Sequence, residues 1–164
     1  MRHRLRTAED RPRVVLCGSM RHYSLISKLV IILSRTGIQA LAPEPDAAIP
    51  STAEEARAAK HAASMRHFNL IRERVTSAIL VVNPGKCDED DYIGPNAFAE
   101  IAVAVADELP VYVLFDFPQQ YREELAAWNA VPLRGDVTRF LEDQVGSTLY
   151  ADQIQNDLAR AIAS

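Results

Sequence analysis

Cysteine is scarce in this chain, with two in 164 residues, Cys17 and Cys87. That supply excludes a disulfide-stapled scaffold and fits a reducing compartment, so the cytoplasm is the expected location. Also missing is any apolar run of the length that crosses a bilayer. The basic opening, Met1 to Arg6, leads into Thr7-Ala8-Glu9-Asp10 rather than an apolar stretch, so it does not read as a signal peptide. Positive charge is in deficit, the formal net charge being −4, so neither a nucleic-acid backbone nor an anionic membrane is an expected partner. Three glycine-marked fingerprints are absent: G-x-G-x-x-G, the Walker A sequence and the G-x-S-x-G elbow. Their absence argues against dinucleotide binding, NTP hydrolysis and an α/β-hydrolase triad. Internal repeats and low-complexity tracts are lacking too.

What is there is ordinary globular material. Hydrophobic residues make up 48% and charged residues 24% of the chain, enough apolar surface for one sizeable core. Residues 1–11 read as a flexible N-terminal tail and residues 12–164 as a single domain. Arg13-Val14-Val15-Leu16-Cys17 is a short apolar run that reads as a buried strand, ending in a Gly18-Ser19 turn. From Tyr23 to Arg35, apolar residues recur at helical spacing, and Gly37 supplies the stop. Ile38 to Ala42 is a second strand. Ser51 to Val75 is a long helix capped by Ser51 or Thr52. Ser77 to Val82 is the clearest strand, and Val111 to Phe115 is a fourth. Gln119 to Trp128 and Thr148 to Ala163 read as helices, with a fifth strand expected near Val131–Leu133 or Val137–Phe140.

Strands alternating with helices predict an α/β fold, a flavodoxin/Rossmann-like three-layer sandwich around a mostly parallel five-stranded sheet. In such sheets ligands bind beyond the carboxyl ends of the strands, where strand order reverses. The loops Gly18–Tyr23, Asn83–Asn96 and Asp116–Pro118 are therefore expected to converge on one crevice.

One carboxylate is out of place. Between Ala97 and Ala106 only Glu100 is charged, and a helix apolar almost all round is a buried helix. An ionised carboxylate is tolerated there only when it is paired or lines a cavity. Burial raises its pKa, so hydrogen-bond donors or a bound cation nearby would have to favour the anion. Asn96, one turn earlier, and loop N–H groups are the candidates. The competing reading is a structural carboxylate bonded to a neighbouring loop.

Gly18-Ser19-Met20-Arg21 combines a tight turn, a hydroxyl, a guanidinium fork and the free N–H groups of a helix start, which suits a phosphate. Equally, it reads as an ordinary βα turn with a surface arginine. The acidic loop Asp88 to Asp91 lacks the spaced ligands of a calcium loop and has no histidine near it in sequence, so no metal or other cofactor is expected. Asp91 is the member most suited to reach the crevice. His61 and His67, among arginines on the long helix, read as part of a solvated face. Cys87 has no histidine placed to make it a nucleophile.

Three blocks carry a resemblance. They are Val15 to Arg21, then His67-Phe68 leading into Ser77 to Pro84, then Tyr92-Ile93-Gly94-Pro95-Asn96-Ala97-Phe98-Ala99-Glu100-Ile101. In this order they resemble the nucleoside 2-deoxyribosyltransferase-like superfamily, which includes the 2′-deoxynucleoside 5′-monophosphate N-hydrolases. The resemblance implies a flavodoxin-like sandwich that assembles as a homodimer or higher homo-oligomer, with sites completed by a neighbouring subunit. The family's catalytic Glu falls on Glu100. Gly18, Ser19 and Arg21 match the turn that holds a 5′-phosphate, and Asn83 matches a polar residue, often Asp, at the end of the third strand. Asp91 corresponds to an acidic residue of the following loop, while Gly94 and Asn96 stand in the most specific block. Where the family often has Gly and an aromatic residue after the Glu-Ile pair, this chain has Ala102-Val103, expected to narrow a ribose pocket. The Gly-Gly-x-Gly-Thr-x-x-Glu signature of cytokinin-activating phosphoribohydrolases is not matched.

The implied activity is N-glycosidic cleavage of a nucleoside 5′-monophosphate, or transfer of its deoxyribosyl group between bases. Glu100 would be the nucleophile, with Asp91 or a water as proton donor. The ligand would be a nucleoside or nucleoside monophosphate. The alternative is a non-catalytic nucleotide-binding or sensor module on the same fold.

Overall fold

The first strand, β1 (Arg13–Gly18), is buried over its four central residues, as a continuous apolar run requires when both faces of a sheet are covered. The computed structural model describes residues 11–45, 49–85 and 91–163. The expected tail, apart from Arg11, and Cys87 to Asp90 of the acidic loop lie outside the described residues. After β1 come a single 3₁₀ turn (Met20–His22), α1 (Tyr23–Ser34), β2 (Gln39–Leu41) and α2 (Ala53–Arg72). Then follow β3 (Thr76–Val82), α3 (Pro95–Ala106), β4 (Val111–Val113), a second 3₁₀ turn (Gln119–Tyr121) and α4 (Arg122–Ala127). The chain closes with β5 (Val131–Pro132), α5 (Thr138–Val145) and α6 (Ala151–Ala163).

Among the described residues five strands form one sheet in the order β2-β1-β3-β4-β5, and each of its pairings is parallel. The sheet is thus wholly parallel rather than mostly so. Of the two sites considered for the fifth strand, Val131–Pro132 holds it, while Val137 is the N-cap of α5. Parallel strands cannot be joined by hairpins, so each connection crosses over through a helix or loop on one face.

Alternation along β1 decides what faces what. Val14 and Leu16 belong to the core shared with Ile26 and Leu29 of α1, Phe140 of α5 and Leu158 of α6. Val15 and Cys17 point the other way, toward Ile71 of α2, Ala97 and Ile101 of α3 and Leu125 of α4. Cys17 therefore lies under the α2–α3 layer. Gly18 ends β1 at its tightest point, where a Cβ would sit 2.8 Å from the Val82 carbonyl oxygen. Its glycine serves the close approach of β1 to β3.

Strand order reverses between β1 and β3, because the chain leaves β1 for one edge and returns to the other side through β3. The ends of these two strands flank the crevice that such a reversal opens. Among the described residues, no helix is long and apolar enough to cross a membrane.

Candidate functional site

Gly94 caps α3 and Pro95 occupies its first turn, where a missing N–H costs nothing. From there Ala97, Glu100, Ile101 and Ala104 form the buried stripe, at the i, i+3, i+4, i+7 spacing of a core-facing surface. Glu100 is thus on the inward face, 8% exposed. It faces a cavity of about 640 Å³, inside the range typical of small-molecule sites. Gly18, Ser19 and Arg21 line the same cavity, as do Gly94 and Asn96. Six of the eight expected site residues are therefore brought together.

The other two, Asn83 and Asp91, are not. Asn83 is 1% exposed at the end of β3. Its Nδ2 donates to the carbonyls of Asp91 at 3.1 Å and Asp116 at 2.9 Å, and its Oδ1 accepts from the Phe115 N–H at 3.1 Å. The amide is engaged by three backbone groups and does not line the cavity, so it ties two loops together. Asp91 supplies a carbonyl to that clamp and does not line the cavity. The third expected loop, Asp116–Pro118, is also absent from the cavity wall. Asp116 instead accepts from the Phe117 N–H and lies near Arg122 and Arg134. Asn83→Ala would leave a buried N–H and two carbonyls without partners, so a loss of about 2–4 kcal/mol is expected. Chemical denaturation checks it, and ligand affinity of the folded protein should change little.

The wall that completes the cavity comes from α2. Lys60, Ser64, Arg66, His67 and Asn69 line it, with Pro43 and Glu44 after β2. His67 corrects the sequence reading: it is 5% exposed, not part of a solvated face. Its i+4 neighbour Ile71 is also buried, and that spacing was the available signal. The Nε2 of His67 stands 3.8 Å from Oε2 of Glu100 and 3.7 Å from Sγ of Cys17. Neither partner of this cluster was linked to Glu100 by sequence. Asn96 lines the cavity, but Oε2 of Glu100 is buried without a hydrogen-bond partner among the described residues, so neither Asn96 nor a loop N–H supplies one.

Burial controls the charges here. It raises the Glu100 carboxyl to about 7, with a hydrogen bond from the Cys17 thiol pulling the other way. It lowers His67 to about 4 despite a hydrogen bond to the Leu16 backbone. The Cys17 thiol is pushed well up by burial and by the neighbouring carboxylate. At neutral pH the imidazole and thiol are uncharged, and Glu100 is divided between its two forms.

On the rim, Arg66 faces Glu44 at 3.8 Å. Arg21 and Lys60 line the cavity with no ion pair among the described residues. Ala102 and Val103 do not line it, and Val103 packs on the core between the sheet and α3. The expected narrowing by these two side chains does not occur.

A parallel α/β sandwich of the Rossmann/flavodoxin-like type, with a cavity at its strand-order reversal, is what fold and site together define. No family model and no curated protein matches the chain.

Proposed function

We propose that the chain is an N-glycosidase of the nucleoside 2-deoxyribosyltransferase-like kind, releasing the base from a nucleoside 5′-monophosphate. The observation that carries this reading is one cavity of about 640 Å³ lined by both a buried carboxylate and an arginine turn whose guanidinium has no ion pair among the described residues. The three-block resemblance points the same way. Ser19, Arg21 and the N–H groups after them hold the 5′-phosphate, with Lys60 adding positive charge. The sugar then lies over Glu100. As the bond from C1′ to the base nitrogen breaks, positive charge grows on the sugar, and the ionised carboxylate attacks C1′ to form an ester. The base leaves with the electron pair and takes a proton from water in the cavity, since Asp91 is not at hand. A second water hydrolyses the ester and restores Glu100. A second base in that place makes the reaction a transfer.

Incubation with ribo- and deoxyribonucleosides and their monophosphates, followed by chromatography, tests this. Free base from a monophosphate is the expected result. Tight nucleotide binding with no base released on prolonged incubation would leave only the binding module. Arg21→Ala should raise KM for the monophosphate roughly ten- to hundredfold, the worth of a charged hydrogen bond, and leave KM for the free nucleoside unchanged. Equal effects on both would remove the phosphate role.

The unit that acts, in this reading, is a homodimer. Helix α2 starts with a Thr52–Glu55 capping box, yet its first fourteen residues, 53–66, include none that is buried. An isolated helix of that length is marginal in water, and Met65 stands 42% exposed on it. A second copy laid along α2 would cover this surface and close the cavity rim. Sedimentation should give a dimer, and a monomer at micromolar concentration would refute the assembly.

A further inference from the structure

Three potential metal ligands meet at the floor of the cavity: Sγ of Cys17 from β1, Nε2 of His67 from α2 and a carboxylate oxygen of Glu100 from α3. All lie within 4.8 Å of one another, and all three residues are buried. The geometry points to a binding site for one thiophilic divalent cation of the Zn²⁺ class, held by Cys17, His67 and Glu100, with its fourth position open to the cavity.

Distances support it. A tetrahedral ion with bonds of about 2.0–2.3 Å to O, N and S holds its ligands roughly 3.3–3.6 Å apart. Here the imidazole stands 3.7 Å from sulfur and 3.8 Å from the carboxylate oxygen. The 3.8 Å gap to the carboxylate is long for a hydrogen bond, the 3.7 Å contact to sulfur is of thiol–imidazole hydrogen-bond length, and both lie within about half an ångström of coordination spacing. Oε2 of Glu100, buried without a hydrogen-bond partner among the described residues, is the kind of orphaned acceptor that an ion would satisfy. A hydrogen bond from the His67 ring to the Leu16 backbone is the kind of support that ligating imidazoles usually have. The tautomer with its proton on Nδ1 is the one that offers the Nε2 lone pair to an ion.

Ligand chemistry selects the ion. A thiolate, an imidazole and a carboxylate suit Zn²⁺ and its neighbours and do not suit Mg²⁺ or Ca²⁺. Charge agrees, because thiolate and carboxylate together cancel a dication in a site that tolerates no net charge. On binding, the Cys17 S–H proton and any proton on Glu100 pass to solvent, three coordinate bonds form, and nothing is oxidised. His67 and Glu100 line the cavity while Cys17 lies beneath, so the uncovered side of the ion faces the ligand space. One consequence rests on the proposed function: an ion that takes the Glu100 carboxylate withholds the nucleophile, so occupancy silences base release.

The test uses the full chain freed of metal by a chelator and titrated with Co²⁺. One equivalent should bring up a thiolate-to-cobalt absorption band in the near ultraviolet, with visible bands of tetrahedral intensity, and Zn²⁺ should displace it. The band should vanish in Cys17→Ser and persist in Cys87→Ser. His67→Gln and Glu100→Gln should each weaken binding by tenfold or more, with circular dichroism confirming that the variants fold. No stoichiometric band, or one lost only with Cys87, overturns the site. Base release is then assayed with chelator and with Zn²⁺. A cobalt band without base release under any condition sinks the glycosidase and leaves the metal site standing. Base release without a band does the reverse. Base release undiminished by saturating Zn²⁺ removes Glu100 from the ligand set and overturns the three-ligand assignment.

Discussion

Replacing Glu100 by glutamine should stop base release almost completely, with a loss on the order of 10⁴-fold or more in kcat. The amide keeps the shape of the carboxylate but cannot attack C1′ and carries no charge to offset an oxocarbenium ion. Nucleotide affinity should change little, because Ser19, Arg21 and Lys60 remain. The fold should survive, since among the described residues Oε2 of Glu100 has no hydrogen bond and the nearest imidazole nitrogen is 3.8 Å away. Chelator-treated protein, assayed by single-turnover release of base, is the right measurement. Turnover within tenfold of the parent would remove Glu100 as nucleophile.

The second large effect is on pH. With its carboxyl raised to about 7, Glu100 is mostly neutral at pH 6 and mostly ionised at pH 8. Base release from a free nucleoside, whose lack of a phosphate removes a competing titration near pH 6, should therefore climb about tenfold per unit below 7 and level off above it. A profile flat from pH 5.5 to 8.5 would rule out the buried carboxylate as the active form. Stability carries the same signature with the opposite benefit. A carboxyl raised from 4.5 to about 7 on folding contributes stability that is fully present below pH 4.5 and lost as pH rises through 7. The loss is about 3 kcal/mol, so Glu100→Gln should gain on the parent by that order between pH 4.5 and pH 8. His67, lowered from 6.5 to about 4, works the other way: its contribution is present above pH 6.5 and lost as pH falls through 4. Between pH 4.5 and 6.5 the two slopes nearly cancel in the parent. Denaturation of Glu100→Gln across that window should expose the rising slope of His67 alone.

Much of the architecture was legible because its signals are local. The apolar runs of β1 and β3 and the spacing along α1 and α3 need no knowledge of the rest of the chain. Glu100 was legible for the same reason, as a lone charge in a sequence of alanines and valines. β5 was hard to place because two residues, Val131–Pro132, are too few to show any period. Asn83 was not legible because composition cannot tell whether an amide lines a cavity or binds three backbone groups, as it does here. Cys17 and His67 lie 50 positions apart, so their meeting with Glu100 depends on sheet order and on which way β1 alternates.

That alternation has a consequence for what changes β1 can accept. Only the odd-numbered side chains at its centre, Val15 and Cys17, look toward the layer of α2 and α3. Slipping the strand by one position, by inserting or deleting a single residue ahead of Cys17, would exchange its sulfur for a leucine or glycine on that side. The core would still find apolar groups to bury, but a cysteine or serine would take the Gly18 position, where a Cβ meets the Val82 carbonyl oxygen at 2.8 Å, so the lesion would fall on strand packing and chemistry together. The spacing from Arg13 to Gly18 is therefore fixed by what the site requires as well as by what the sheet requires.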